Sequence, residues 1–415
     1  MRWDNLKLNL FLYLSLFSFF LLSWNGSIPE FISPSLAKLN LVSYAIGMCF
    51  VLCFFQDGFQ PFRPFKNCLS IIVFVFYLLY VVSVFTSNNV SVAIKALEYK
   101  LSLILVSYIY FSNPLFFRKN KAILLKSFSL GVILILLLLD LRGFLIYSHT
   151  SEFPVYTSFT TSLHPTYLGL CTFVVFVLCM KKIQDYSFSL HKKSIAILLI
   201  GLFLIVHILL IQSRSAQISL FLGCLLYAYQ LYFKTRFLKL ASFLSIVVIS
   251  LIVLMKFPAG ERFKEMYVAL VSPHPDGDMS GTNFRMNLIK SYPEVLSDIW
   301  LLGATKGDAQ EHLSKFYLTK GWTHAAEENY NAHNQFLQIL IEFGIIGFLL
   351  FCLIFFLPFF LYHGFYFRII LMGFTISLLF ESFLERQAGI FLFIFIYCLF
   401  NAPIDNVKNA NLALR

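Results

Sequence analysis

Apolar residues along this chain come in long unbroken runs separated by short polar or turn-rich breaks, not at alternate or every third to fourth positions. A run of about 17 to 25 such residues is the length a helix needs to cross about 30 Å of hydrocarbon. The pattern predicts about twelve of these helices, over 8–24, 39–55, 69–86, 96–112, 122–147, 163–180, 194–211, 216–233, 237–255, 335–361, 366–384 and 388–401. The fourth is the least regular, because Lys95, Glu98 and Lys100 stand at its start. A membrane β-barrel would instead show alternating segments of roughly ten residues, unlike the continuous Val132 to Leu139. The first run has the length of a secretion signal, but no small-residue cleavage site follows Trp24, so an uncleaved first helix is expected.

Composition agrees with the pattern. Of 415 residues 59% are hydrophobic and 13% charged, against roughly a quarter charged in soluble domains. The fold class expected is therefore an all-α polytopic membrane protein with one large, partly helical loop between the ninth and tenth helices. It divides into 1–255 (helices one to nine), 256–332 (the loop) and 333–415 (the last three helices and a short tail).

The net charge of +11 could suggest a nucleic-acid partner, but its placement follows a membrane. With the N-terminus inside, the cytoplasmic segments hold Arg2, Lys7, Arg63, Lys66, Arg118, Lys119, Lys121, Lys181, Lys182, Lys192, Lys193, Lys234, Arg236, Lys239, Arg368, Lys408 and Arg415. The short outer connections hold Lys38, Lys95, Arg142, Arg214 and Arg386. This positive-inside bias puts both termini in the cytoplasm and the long loop on the outer face of the membrane, with lipids as partners and no nucleic acid. The eight cysteines all lie in or at the ends of apolar runs, which argues against a disulfide framework. Cys49 and Cys53 share a helix face but have no further ligand beside them, so they are expected to be packing residues.

Within the loop, Ser272 to Asp278 is turn material, whereas 283–296 and 309–317 have helical character. Tyr292, Trp300, Tyr317, Trp322 and Tyr330 suit a folded cap better than a tether. Where the loop returns to the membrane the chain reads Asn331-Ala332-His333-Asn334-Gln335 and continues to Gly344-Ile345-Ile346-Gly347. On a continuous helix, Gly344 and Gly347 would lie about 20° and 40° from the azimuth of His333, so the three would share a face. The glycines would then admit a neighbouring helix or lipid chain beneath a histidine suited to proton transfer.

Two arginines complete the candidate chemistry. Arg214, in the tight connection Gln212-Ser213-Arg214-Ser215, sits at membrane depth, where a cation costs about 2.5 to 3.5 kcal/mol and is kept for a partner or snorkels to the interface. Arg285 lies in the loop near Asn283 and Asn287. Two guanidinium forks could hold a pyrophosphate through bidentate bonds.

These residues resemble the O-antigen ligase and O-antigen polymerase superfamily. The ligase signature is His, then Asn, Ser or Gln, nine residues, Gly, two residues, and Gly, Thr or Tyr; His333-Asn334 through Gly344-Ile345-Ile346-Gly347 matches it throughout. The resemblance spans roughly 194–401 and includes Ser213-Arg214, the Arg285 segment, Leu302-Gly303 through Gly307-Asp308, and 381–389. The N-terminal half is similar only in hydropathy, although His164-Pro165-Thr166-Tyr167 looks like a pattern seen in some relatives.

The resemblance implies an enzyme that moves a glycan from undecaprenyl pyrophosphate to a lipid-linked hydroxyl, such as a lipid A core, at the periplasmic face. Transfer would invert the anomeric carbon, without metal or cofactor. By matching position, His333 would be the base and Arg214 and Arg285 would bind the donor pyrophosphate, with Asn334, Gly344 and Gly347 in support. Other polar groups invite other readings. Asp276, Asp278 and Ser280-Gly281 mimic a calcium loop, but its twelfth position is Asn287, not the bidentate Glu. His324 with Glu327 and Glu328, and His312 with Glu311, read as loop residues rather than metal pairs, and Glu381, Glu385 and Arg386 as an internal ion pair or a support for the site. A polymerase extending the same lipid-linked glycan is the nearest alternative. A transporter or flippase would instead place broken helices or ionisable residues at the midplane.

Overall fold

The computed structural model describes residues 2–26, 28–56, 67–161, 163–185, 192–234, 268, 281–361 and 364–401. Among them the structure is helical, with no strand. The ninth expected run, 237–255, and the turn-rich start of the loop lie outside the described residues.

The helices are α1 (Arg2–Leu21), α2 (Leu41–Gln56), α3 (Cys68–Thr86), α4 (Val90–Ser112), α5 (Pro114–Thr150), α6 (Pro165–Asp185), α7 (Lys192–Ile211), α8 (Arg214–Lys234), α9 (Gly281–Val295), α10 (Ala309–Thr319), α11 (Gln335–Leu361), α12 (Phe365–Phe380) and α13 (Gln387–Asn401), with a few one-turn pieces between them. Six stretches are long and apolar enough to cross a membrane, those of α1, α3, α5, α6, α7 and α11. Their ends carry the usual signals. Asn67 caps α3 by accepting from Leu69 N at 2.9 Å, and Pro114 opens α5 where its missing N–H costs nothing.

One group of helices is built from α1 with α2 and α5, and α3 with α4; a second joins α6 to α7, α8 and α12. Between them α11 packs on α3 and α12, while α13 packs on α4. Apolar all round, α13 is buried from Gly389 to Leu399, as a helix without a polar face must be.

Residues 281–332 form a cap with an apolar core of its own. Phe284, Leu288, Tyr292 and Val295 from α9 pack on Ala309, Leu313 and Tyr317 from α10. Phe284 is the hub, edge-to-face with Tyr317 (5.5 Å), Trp322 (5.8 Å) and Tyr330 (5.3 Å). The expected aromatic cap is thus present, except that Trp300 is exposed.

The cap is clamped to the α3–α4 turn. Asp308 accepts from Asn88 N (2.8 Å) and Asn89 N (2.9 Å), and Lys306 N donates to Ser83 Oγ (2.8 Å). Burial would raise the Asp308 carboxyl, but these amide donors hold it below the usual range.

Candidate functional site

The continuous helix expected beneath His333 does not exist. α11 begins at Gln335, after His333, and is interrupted at Gly344, whose backbone is non-helical (φ 59°, ψ −159°). Gly344 and Gly347 therefore do not share a helix face with the histidine. The physical reason is a backbone crossing. A Cβ on Gly344 would lie 2.3 Å from Leu301 O, and one on Gly303 (φ 77°) would lie 2.4 Å from Phe343 N. Each glycine makes room for the other's strand of backbone. Ile345 N then donates to Trp300 O (2.9 Å) and Ala304 N to Ile341 O (2.7 Å), which satisfies groups released by the break. Gly347 fits against Phe343 across the same break.

The break also moves the start of the apolar limb. Buried Gln335, Gln338 and Glu342 lie before it, and the 345–361 limb rises about 25 Å at 1.5 Å per residue, close to a hydrocarbon thickness of about 30 Å.

His333 is held just outside the helix in the left-handed region, at φ 45°. Asn331 Oδ1 accepts from His333 N (2.9 Å) in an Asx turn. Asn334 Oδ1 accepts from Phe336 N (3.0 Å) and Leu337 N (3.2 Å), so the second residue of the signature is the helix N-cap, a place that favours short polar side chains. The edges of Phe284 (5.9 Å) and Tyr330 (5.6 Å) flank the imidazole.

The structure brings Arg285 to His333, with Nη2 at 3.4 Å from Nδ1. It also adds a third member, Glu381, which follows α12. Glu381 Oε2 lies 3.4 Å from Arg285 Nη2 and 3.6 Å from His333 Nδ1. Burial alone would raise the Glu381 carboxyl, but the contact with His333 and the charges of His333 and Arg285 hold it below the usual carboxylate range. His333 and Arg285 keep 24% and 28% side-chain exposure, so the cluster is open to a ligand on one side. Arg285 Nε is buried with no acceptor among the described residues.

Arg214 opens α8, and the first turns of α6 touch both its neighbours and the segment after Glu381. A Cβ on Gly169 would meet Ala216 (2.8 Å) and Ser213 (3.1 Å), which flank Arg214. Tyr167 meanwhile donates to Phe383 O (3.1 Å), two residues beyond Glu381.

A second cluster of charge lies deeper. Lys306 reaches inward from the clamp to Glu342 (2.6 Å) and to Glu385, and Glu385 also pairs with Lys100 (3.0 Å). Burial would lower the Lys306 ammonium, but the two carboxylates raise it above its ordinary value. Gln338 links this cluster to the histidine, donating to Glu342 (2.7 Å) and accepting from Ala332 N (3.0 Å). Glu381 and Glu385 thus serve two different clusters, and Arg386 is not their partner among the contacts seen. Lys100 was visible in the sequence as a charge inside an apolar run, the signal that could have found it. His312, weighed as a metal ligand, instead hydrogen-bonds Val295 O (2.8 Å), and Glu311 pairs with Lys315 (2.6 Å).

The class defined by these features is a multi-pass helical membrane protein whose cap presents a histidine, an arginine and a carboxylate at the mouth of a broken helix. A sequence model of the O-antigen ligase family matches residues 197–352, which supports the resemblance to the O-antigen ligase superfamily. Arg214, Arg285, His333, Asn334, Gly344 and Gly347 lie within the match; Glu381 and His164 lie outside it. No curated protein matches the chain.

Proposed function

We propose that the protein is an O-antigen ligase-type glycosyltransferase. It moves a polysaccharide from undecaprenyl pyrophosphate to a hydroxyl of a lipid-linked acceptor such as a lipid A core, at the periplasmic face of the inner membrane. The observation that carries this reading is the approach of Glu381 Oε2 to His333 Nδ1 (3.6 Å), with Arg285 paired to the same carboxylate (3.4 Å). A proton on Nδ1 directed at Glu381 leaves Nε2 bare, the arrangement by which a carboxylate orients a histidine base. His333 Nε2 would take the proton of the acceptor hydroxyl as its oxygen attacks the anomeric carbon from the face opposite the leaving group. The bond to pyrophosphate breaks, the configuration inverts, and Arg285 and Arg214 stabilise the charge that develops on the leaving oxygen. The buried, unpartnered Arg285 Nε supports this, because a desolvated donor without an acceptor is costly and a phosphate oxygen would satisfy it. The chain's own groups supply every step, so no metal or cofactor is invoked.

A polymerase would use the same chemistry with a second lipid-linked repeat as acceptor. Purified enzyme given one lipid-linked glycan donor, with and without a lipid A core, separates the two. A ligase gives product only with the core, whereas lengthening of the lipid-linked glycan in its absence would establish polymerase activity instead.

A further inference from the structure

We propose that His164 is a further substrate-binding residue, donating Nε2–H to a pyrophosphate oxygen of the lipid-linked donor; this rests on the transferase reading above. His164 immediately precedes α6, whose first turns touch both parts of the site. Tyr167, whose N–H donates to His164 O (3.1 Å), packs its ring on Phe383 at 4.4 Å, beside Glu381. Gly169 brings the next turn against Ser213 and Ala216, on either side of Arg214. His164 thus stands at the start of a helix whose first turns touch both the flanks of Arg214 and the segment that follows Glu381.

Its ring is oriented. Nδ1 accepts from Thr166 N (3.4 Å), which leaves the hydrogen of the neutral ring on Nε2. Burial, helped by the charges of Arg386, Arg285 and His333 against that of Glu381, lowers the His164 imidazole below its ordinary value and so favours that neutral form. A neutral donor suits a phosphate that already has its counter-charges, because it adds a directed bond without a further cation.

The segment leading to His164 also looks built for a ligand. Tyr156 (φ 56°) and Thr161 (φ 58°) are left-handed non-glycine residues, a strain retained where the surroundings enforce it. Thr160, fully buried, and its neighbour Thr161 leave their hydroxyls without a partner among the described residues.

The test uses the full-length enzyme in detergent, with a short-chain prenyl-pyrophosphate glycan as probe. His164→Ala and His164→Phe are expected to raise the donor KM about 10- to 100-fold, the range of a hydrogen bond to a charged group, with a smaller change in kcat. His164→Gln, whose amide nitrogen can stand near Nε2, is expected to recover most of the loss. Direct binding of the probe is measured in a His333→Ala background, with and without the His164 changes. Wild-type donor affinity in His164→Ala, or equal defects in His164→Gln and His164→Phe, would overturn the proposal. Absence of glycan transfer by the wild-type enzyme, with the probe still bound, would instead overturn the transferase reading, so the two failures are distinguishable.

Discussion

His333 is held by three local devices, the Asn331 turn, the Asn334 cap and two aromatic edges, so its substitution should be informative without unfolding the cap. His333→Ala is expected to reduce transfer by ~10² to 10⁴, the usual worth of a general base, with unchanged protein level and accumulation of donor lipid on a gel. His333→Gln should be nearly as defective, because an amide can hydrogen-bond but cannot take the proton. Arg285→Ala should insert normally and lose transfer. Arg285→Lys should recover only part, because a lysine keeps the charge but loses the planar fork. Glu381 gives the acid limb of stability. Its native pKa is depressed, so its contribution is present above the ordinary glutamate value of about 4.3 and is lost as pH falls through the lower native value. Melting temperatures between pH 3 and 7 should therefore fall more steeply at the acid end for wild type than for Glu381→Gln.

At the scale of elements, the crossing of 300–304 over the break in α11 is the feature most sensitive to a single methyl. Gly344→Ala puts a Cβ 2.3 Å from Leu301 O at a positive φ. It should cost roughly 2 to 5 kcal/mol, read as a lower melting temperature and as protease cleavage between the cap and α11. The buried charge cluster gives a second test. Lys306→Met leaves Glu342, fully buried, and Glu385 without the cation they share, which should destabilise by about 3 to 5 kcal/mol. Adding Glu342→Gln removes one stranded charge and should restore part of the loss, a coupling that thermal melting of the single and double variants would measure.

At the scale of the whole molecule, topology is the expectation on which the site's placement depends. Cytoplasmic termini and an outward-facing cap predict that a reporter fused within 306–320 is active only outside the cytoplasm, and one fused after Arg415 only inside. The reverse result would place the site on the wrong face for a lipid-linked periplasmic donor. Solubility in the membrane follows from the exposed apolar faces of single helices, such as Leu137, Leu141, Phe144 and Leu145 along α5, which only a lipid environment can accommodate.

Hydropathy alone located the described helices to within a few residues for most runs, because crossing a fixed thickness of hydrocarbon imposes a length that is written locally in the chain. Residue chemistry and the His333–Gly347 signature, not hydropathy, singled out His333, Arg285 and the glycines as candidates. The fourth run, blurred by Lys95, Glu98 and Lys100, became a longer helix, Val90–Ser112, whose Lys100 is buried and paired while Lys95 and Glu98 are exposed. What the glycines do was not legible, because periodicity assumes a continuous helix, and the partner that breaks this one is the backbone of residues 301–303, some forty positions away. The same holds for Glu381 at His333 and for Lys306 between Glu342 and Glu385. Charge pairing within a low-dielectric interior depends on distance in space, and only the tertiary structure sets that distance.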